Sequence, residues 1–427
     1  MPVRVLLLTY SFPPAASAEA FVAAKALGGL QRHGFDVTVL TIAPETFGMA
    51  REDSLLPYVR DRFSHVHYIS APAPLKLGRA STWLRRAKVF RLARISAPFL
   101  FTNALFTTAL KAWPISEYDL LVTRSPVHAI HLVGRKLKAR HPSLRWLAHF
   151  SDPWADNPYD STRWWERRLN RALERRVIDA ADLITVTSRE TQSLVFKKYS
   201  PAVLDRVAVI PHAYDPDLYP QHARQRSVDE PITIRCLGTF YGKRVPDVLL
   251  NALRRLTARS PHLLGRVRFE FYARFLNGAA RFSHPSGLPP GLWNAYAPVD
   301  YLTSLQLMQE ADGLLSIDAP FAPSVFLPSK LVDYVGARRP IWTITPPGTA
   351  AELTRSLEGW VSDPRDAAEV DSVLVRFVEA LRRQRDTPGL LCEGSIRHAY
   401  SLASVSEALA GAIQSKLFAA QKRQLQE

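Results

Sequence analysis

The segment 326–340 contains the residue types of a helix start that binds an anion. A proline followed by Ser329 favours the first turn of a helix, so the backbone N–H groups of Ser329, Lys330 and Leu331 are expected to point out of that turn. The helix dipole and the Lys330 ammonium both favour a negative charge there. Asp333, about one turn further along, is placed where a carboxylate could hold the hydroxyls of a ribose. The plainer alternative is a capped surface helix with a lysine in its first turn.

A second stretch suited to a phosphate follows the apolar run 232–238, which is predicted to be a strand. Gly238 lets a ligand approach the backbone, and Lys243 and Arg244 add two cations. Turns of this composition also simply end strands. Together with Lys330, these residues offer three cations at the ends of neighbouring strands, an arrangement that suits a diphosphate.

Asp152 is a candidate catalytic residue in the first half of the chain. It follows the apolar run 145–150, so it should lie at the carboxyl end of a strand, where it could orient or deprotonate a hydroxyl. An aspartate before proline also often begins a turn. His149 and His212 are weaker candidates, because the first is expected to pack within the strand and the second to support a linker.

These residues need a scaffold, and the hydrophobic pattern predicts one. Short apolar runs alternate with segments of helical spacing, which is typical of parallel sheets covered by helices on both faces. We therefore expect an α/β protein with two doubly wound, Rossmann-like domains whose strand ends face a cleft. The predicted strands are 3–10, 36–42, 119–123, 145–150, 183–187, 207–210, 232–238, 266–272, 313–317 and 341–345. The predicted helices are 18–31, 127–140, 164–180, 246–257, 301–311, 329–337 and those from 367 onward.

A polar, proline-containing stretch after the strand 207–210 indicates a boundary between the two domains. We predict a first domain at 1–205, a linker at 206–230 and a second domain at 231–395. The remaining segment, 396–427, is predicted to contain a helix that could cross back to the first domain.

The composition is that of a globular protein, but its charge is uneven. The 427 residues carry a net charge of +16, and residues 1–200 hold 29 basic against 16 acidic side chains. The two cysteines, Cys236 and Cys392, form neither a disulfide framework nor a metal-ligand cluster, so we expect a reduced, cytoplasmic setting and no bound metal. The apolar run at the N-terminus is too short for the core of a signal peptide, and no long apolar span is visible.

The basic residues concentrate between Arg62 and Lys111, where no acidic side chain interrupts them. The region 76–113 is predicted to form a helix pair, including Leu105 and Phe106, that lies on an anionic membrane surface. A solvated basic face over a buried helix is the alternative. The predicted membrane contacts are Trp83, Arg85, Arg86, Lys88, Phe90, Arg91 and Arg94.

Several of these segments, in this order and spacing, resemble the retaining GT-B glycosyltransferases of the family-four type, many of which assemble bacterial surface polysaccharides. The resemblance covers nearly the whole chain. It is carried by 10–14, 35–41, 151–154, 181–187, 210–215, 238–244 and 328–340.

The resemblance implies a two-domain enzyme that moves a sugar from a nucleoside-diphosphate donor to a saccharide acceptor, which we expect to be lipid-linked. The first domain would bind the acceptor, near Asp152. The second would bind the nucleotide sugar, with Lys243, Arg244 and Lys330 neutralising the diphosphate and Asp333 holding the ribose. No metal and no further cofactor would be needed. Location at the inner face of the cell membrane would fit such an acceptor.

Two positions depart from the pattern of that family. Many relatives carry a glutamate eight residues before the ribose-binding acid, in contact with the donor sugar, whereas this chain has Val325. Asp318 is the nearest candidate for its role. The loop 15–19, often rich in glycine in relatives, consists largely of alanine here, which disfavours left-handed backbone angles close to the donor phosphates.

Three other classes of protein are alternatives to a transferase. A nucleotide-sugar 2-epimerase would use the same architecture without an acceptor site. A membrane-associated scaffold with a decayed donor site would fit Val325 and the alanine-rich loop, although the retained Lys243, Lys330 and Asp333 argue against it. Nucleic-acid binding is disfavoured because no recognition motif accompanies the positive charge.

Overall fold

The computed structural model describes residues 2–70, 97–159, 163–221, 227, 229–386 and 395–418. The chain divides into two compact units. The first comprises Met1–His212 together with Leu402–Glu427, and the second is Ala213–Ser401. Each unit has its own parallel sheet, which confirms the prediction of two Rossmann-like α/β domains.

The sheet of the first unit contains seven strands within the described residues, in the order β3-β2-β1-β4-β5-β6-β7. Every pairing is parallel. Its central strands are almost completely buried, as expected for strands covered on both faces. The strands are β1 (Val3–Thr9), β2 (Phe35–Ile42), β3 (His65–Ile69), β4 (Leu120–Arg124), β5 (Arg145–Phe150), β6 (Leu183–Val186) and β7 (Val207–Val209).

Helices connect these strands and pack their apolar sides against the sheet. Ser17 caps the first of them, since its Oγ accepts a hydrogen bond from the Ala20 N–H at 3.1 Å. Trp146 and Phe106 are among the large side chains buried in the resulting core. The described helices are α1 (Ala18–Gly28), α2 (Leu56–Arg62), α3 (Ala97–Ala109), α4 (Ala129–Arg140), α5 (Trp164–Ala180) and α6 (Arg189–Phe196).

The second unit repeats this architecture with six strands among its described residues, in the order β10-β9-β8-β11-β12-β13. The strands are β8 (Ile232–Phe240), β9 (Val267–Phe275), β10 (Trp293–Tyr296), β11 (Gly313–Ile317), β12 (Ile341–Ile344) and β13 (Trp360–Ser362). The helices are α7 (Asp247–Arg259), α8 (Tyr301–Glu310), α9 (Ser329–Ala337), α10 (Thr349–Ser356), α11 (Ala367–Asp386) and α12 (Ser395–Ala399). Phe269, Trp342 and Phe377 fill its core.

The last described helix, α13 (Leu402–Leu417), belongs to the first unit. It packs so tightly on the end of α1 that a Cβ atom added to Gly29 would lie 2.8 Å from side-chain atoms of Leu402 and Ser406. The His33 imidazole and the Ser406 hydroxyl share a hydrogen bond of 3.2 Å. The prediction that the chain crosses back to its first domain is therefore confirmed.

Candidate functional site

The carboxyl edge of the second sheet holds the start of α9 beside the end of β8. Gly238 has φ +125°, and a Cβ atom built there would lie 3.6 Å from Cδ of Lys330. A residue with a side chain would be strained at this angle and would also fill the space over the helix start. The glycine therefore leaves the backbone open next to Lys330.

The first turn of α9 has two backbone donors that the helix itself does not use. Its N-cap residue, Pro328, makes no side-chain cap, so the N–H groups of Ser329 and Lys330 have no intrahelical acceptor. Leu331 differs from the expectation, because its N–H donates to the Pro328 carbonyl at 2.9 Å. Two donors rather than three are thus available to an anion at this helix start.

Lys330 lies half-buried at this edge, with Nζ 5.9 Å from the centre of the Phe240 ring. Burial lowers the pKa of its ammonium from the usual value; nearby Arg244 lowers it further, whereas Cys236 and Asp318 oppose this. No carboxylate within the described part of the chain forms a salt bridge with Lys330. An ammonium that is partly removed from water in this way gains from an anionic ligand.

The second cation, Arg244, is fixed in place by a protein acid. Its Nη2 donates to Oδ1 of Asp318 at 2.8 Å. Asp318 is only 2% exposed and also accepts hydrogen bonds from the Ala319 N–H and the Ser324 hydroxyl. Both carboxylate oxygens are thus engaged within the protein, so Asp318 orients Arg244 and the loop after β11. The sequence had offered it as a contact to the donor sugar.

Lys243 is the most exposed of the three predicted cations. It follows Gly242, whose φ of +57° forms the tight turn between Tyr241 and Arg244. Its Nζ lies 5.0 Å from the centre of the Phe321 ring.

Val325, one of the two positions that depart from the family pattern, is buried. Its carbonyl accepts a hydrogen bond from the Thr349 hydroxyl.

Asp333 lies on the same helix and is 6% exposed. Its Oδ1 accepts a hydrogen bond of 2.9 Å from the Tyr301 hydroxyl, and its backbone carbonyl accepts one of 2.7 Å from Tyr219. Tyr334 fastens the helix to the sheet, since its hydroxyl accepts from the Leu237 N–H and donates to the Leu315 carbonyl. Sequence reasoning missed all three tyrosines. Each forms its hydrogen bonds with residues that are distant in the chain, so no local motif indicates these contacts.

In the first unit, a row of polar side chains crosses the carboxyl end of the buried sheet. Strand register places Thr9, Arg124, His149 and Thr185 side by side on four neighbouring strands. All four are buried. Such a row at the end of buried parallel strands is where ligand sites form in this fold class.

Arg124 is paired with Glu19 from the first turn of α1, an acid that sequence reasoning overlooked. Its Nε donates to Glu19 Oε1, and the Ser151 hydroxyl reaches the same oxygen at 3.2 Å. Burial raises the Glu19 pKa to about 7, the negative charge of Asp152 acts in the same direction, and Arg124 and Ser151 oppose them. The proposed catalytic residue Asp152, which is partly exposed, is therefore electrostatically coupled to a carboxyl group that titrates near neutral pH.

Two polar atoms in this row have no hydrogen-bond partner among the described residues. They are Nη2 of Arg124 and Nε2 of His149, and both are buried. The other nitrogen of His149, Nδ1, is bonded to the Thr185 hydroxyl at 2.9 Å. Burial lowers the His149 pKa well below its usual value, with Arg124 and His212 adding to the effect, so the ring is neutral.

His212 behaves similarly. Burial lowers its pKa to about 3, and the positive charges of Arg124 and Lys25 contribute. It is therefore a neutral imidazole at the end of the first unit. The fixed positive charge of this region comes from Arg124 and Lys25, which are both buried.

The loop that carries Asp152 is held from behind by α5. The completely buried Glu174 accepts the Ala155 N–H at 2.9 Å and the Tyr199 hydroxyl at 2.7 Å, and it forms a salt bridge with Lys198. Trp154, in the same loop, stacks on His128 with ring centres 5.0 Å apart. These contacts fix the backbone on which Asp152 stands.

The seven predicted membrane contacts lie in 83–94, outside the described residues, and they stay a prediction. Leu105 and Phe106 on α3, which the predicted helix pair included, are buried in the core of the first unit. None of the described helices has both the length and the apolar composition needed to cross a bilayer. Among the same residues, no three His, Cys, Asp or Glu side chains converge as a metal site requires.

Comparison with known protein families gives a match to the first part of the chain. Residues 20–213 match the family model described as a Glycosyl transferase 4-like domain. This range contains Arg124, His149, Asp152 and His212. No curated protein matches the chain.

Solved structures match along nearly the whole chain. HepE from Anabaena, crystallised in complex with UDP-glucose, is 14% identical with a TM-score of 0.66, covering 96% of this chain and 99% of that one. Sucrose-phosphate synthase from Thermosynechococcus elongatus is 13% identical with a TM-score of 0.65, covering 98% and 100%. A putative UDP-N-acetylglucosamine 2-epimerase from Listeria monocytogenes is 10% identical with a TM-score of 0.57, covering 97% and 96%. These similarities show the GT-B fold, with two Rossmann-like domains.

Proposed function

We propose that the protein is a glycosyltransferase that moves a sugar from a nucleoside-diphosphate donor to a saccharide acceptor, with retention at the anomeric carbon. The observation that carries the proposal is the convergence of Lys330, Arg244 and two backbone N–H groups without an acceptor in their own helix, beside Gly238. The match of residues 20–213 to a glycosyltransferase domain supports it from the other unit. A uracil-based donor is the first to test, because HepE, which has the same fold, was crystallised with UDP-glucose.

The proposed chemistry depends on fixed positive charge. When the bond to the sugar breaks, the departing diphosphate gains negative charge, and cations already in place stabilise that state more than the bound donor. Lys330 and the N–H groups of α9 would take the phosphates, with Arg244 held close by Asp318. Asp333, oriented by Tyr301, would hold the ribose. These groups supply the charge for which other transferases use a metal ion, so we propose a metal-independent reaction.

Asp152 is proposed to contact the acceptor hydroxyl. It stands at the end of a buried strand on a loop fixed by Glu174, and it is partly exposed. The acceptor is proposed to be lipid-linked and to belong to bacterial polysaccharide synthesis, with the protein located peripherally at the cytoplasmic membrane face. The strongly basic first half of the chain is the support for this location.

A thermal-shift panel of uridine, guanosine and adenosine diphosphates, with their sugar conjugates, tests the donor site. A ligand that binds only the folded protein raises its melting temperature. We expect one base to stabilise the wild type selectively, and Lys330→Ala to lose that shift. Arg376→Ala is the matched control, since it removes one exposed cation from α11 of the same unit. It should keep the shift.

Other outcomes identify the alternatives. If no nucleotide shifts a folded wild-type protein, the donor site is absent and the scaffold is the better interpretation. If a nucleotide sugar binds and is converted into its 2-epimer without an acceptor, the protein is an epimerase. Transfer to an added membrane-lipid extract, with release of the diphosphate, supports the transferase.

A further inference from the structure

Helix α5 (Trp164–Ala180) carries a strongly cationic exposed face that the proposed donor and acceptor chemistry does not use. Its arginines are all exposed, and they are Arg167, Arg168, Arg171, Arg175 and Arg176. Two of its three acids, Glu166 and Glu174, are buried in the protein. Asp179, near the last turn, is the exposed acid of the helix. The outer face of α5 therefore has a large surplus of positive charge.

The spacing of these residues places several of them in one line. Trp164, Arg168, Arg171 and Arg175 follow one another at intervals of four, three and four residues, so they form a single stripe along the helix. Trp164 begins the stripe and is 73% exposed, the largest fraction among the exposed large apolar side chains of the described residues. The opposite side of α5 packs in the core of the first unit, where Val177 and Ile178 are buried.

A surface cavity of about 400 Å³ extends the stripe toward the neighbouring helix. Four cations and one acid line it together with Tyr199, and they are Arg171, Arg175, Lys197, Lys198 and Asp156. Asp156 accepts hydrogen bonds from Arg171 at 2.8 Å and from Lys198, which holds these two cations in position. Lys197 and Arg175 extend outward from them and are exposed. The result is a preorganised cationic surface.

We propose that this surface, defined by Trp164, Arg168, Arg171, Arg175 and Lys197, docks the protein on a bilayer that contains anionic phospholipid. Guanidinium groups pair with lipid phosphates, and tryptophan side chains favour the level of the headgroups. Because the apolar side of α5 is packed in the core, the helix lies on the headgroups without entering the hydrocarbon. A single aromatic at one end of the stripe suits a lipid surface better than a nucleic-acid strand, which would need repeated stacking positions.

The inference deepens the proposed function, since a membrane-bound position would serve a lipid-linked acceptor. The proposed α5 surface consists of different residues from the predicted membrane contacts in 83–94. It also concerns a different unit from the donor site, so each proposal can fail while the other stands.

The test is co-sedimentation of the full chain with vesicles of phosphatidylcholine alone or mixed in equal parts with phosphatidylglycerol. We expect wild-type protein to bind the mixed vesicles at low ionic strength and to be released by salt. Arg168→Glu combined with Arg175→Glu should weaken binding about tenfold or more, because each cation near an anionic surface contributes to the attraction. Trp164→Ala should weaken it less.

The matched control is Arg376→Glu combined with Arg383→Glu. These arginines are also exposed and seven residues apart on one helix, α11, and their reversal changes the net charge equally. The control should bind vesicles like the wild type, and both double variants should show a thermal unfolding transition like that of the wild type, which shows that they are folded.

Three results would overturn the proposal. The wild type fails to bind the mixed vesicles, or the α5 variant binds them as well as the control, or both variants lose binding equally.

A competition experiment separates lipid from small anions. If inorganic phosphate abolishes vesicle binding at constant ionic strength, the cavity binds a free anion instead. Equally tight binding of single-stranded DNA, lost in the same α5 variant, would assign the face to nucleic acid.

Discussion

The carboxyl ends of the two sheets hold their charged side chains in different ways. In the second unit, Arg244 is fixed by the buried Asp318, while Lys330 has no salt bridge to the described part of the chain. In the first unit, Arg124 is paired with Glu19, whose pKa of about 7 makes the charge of the pair depend on pH. The second unit therefore offers an anion the ammonium of Lys330 beside a fixed ion pair, whereas the first unit holds an ion pair whose charge changes near neutral pH.

This difference fits two separate chemical tasks. A site that stabilises a departing diphosphate benefits from cations that are present at any physiological pH. A site that handles a hydroxyl proton benefits from a carboxyl group whose proton affinity is near the working pH. Four substitutions separate the two arrangements.

The largest effect is expected from Arg244→Ala. It leaves the Asp318 carboxylate, with 1% of its side chain exposed, buried without its guanidinium partner. The free energy of unfolding should fall by about 3 to 5 kcal/mol, as measured by urea denaturation. Adding Asp318→Asn should recover part of this loss, because the uncompensated charge is removed. A loss no greater than that of Arg376→Ala would show that the pair does not hold the site.

Glu19→Gln should change how stability depends on pH. Burial raises the Glu19 pKa from its ordinary 4.5 to about 7, so the folded protein retains a proton that the unfolded chain releases. The stability from that proton is complete below about pH 4 and is lost as pH rises through about 7. Over this range the contribution is up to about 3 kcal/mol. Glu19→Gln should lose this pH dependence in thermal melts.

The control for that experiment is Glu407→Gln, which removes an exposed acid of α13 in the same unit. Its melting temperature should follow the wild-type pH dependence. If Glu19→Gln did the same, the buried carboxyl would not be the titrating group.

Lys330→Ala should weaken binding of the nucleoside diphosphate more than Lys243→Ala does. The partly buried ammonium is worth about 1.5 to 3 kcal/mol as a charged hydrogen-bond donor, or about ten- to a hundredfold in affinity. Lys243 is exposed and should contribute less than about fivefold. Titration calorimetry measures both. Equal losses in the two variants would mean that the phosphates contact the exposed turn rather than the helix start.

A smaller effect than that of Lys330→Ala is expected from Tyr301→Phe, which removes the hydroxyl that orients Asp333. Because the tyrosine acts through the carboxylate, nucleotide affinity should fall only about fivefold, near 1 kcal/mol. Its readout is specific: the preference for a ribose over a deoxyribose diphosphate should decrease. An unchanged preference would separate Asp333 from ribose binding.

Sequence reasoning found the motifs that are local in the chain. Ser329, Lys330 and Asp333 share one helix, and Arg244 lies in the turn that directly follows the strand of Gly238, so their proximity follows from short-range rules. The central strands were predicted for the same reason, since burial on both faces makes them continuous apolar runs.

Contacts that depend on long-range register were missed. Glu19 and Arg124 are 105 residues apart and meet only because β1 and β4 are neighbours in the sheet. Tyr301 and Asp333 meet through the packing of α8 beside α9. The edge strands β3, β10 and β13 were also missed, because they are partly exposed and lack a long unbroken apolar run.

The most direct test of the central claim is release of nucleoside diphosphate from the sugar nucleotide that stabilises the protein, measured with a membrane-lipid extract as the source of acceptor. We expect the wild type and Arg376→Ala to release diphosphate and transfer the sugar to a lipid-extractable product, and Lys330→Ala to lose both activities. Release that persists unchanged in Lys330→Ala, or no release by a wild type that binds the nucleotide, would contradict the account.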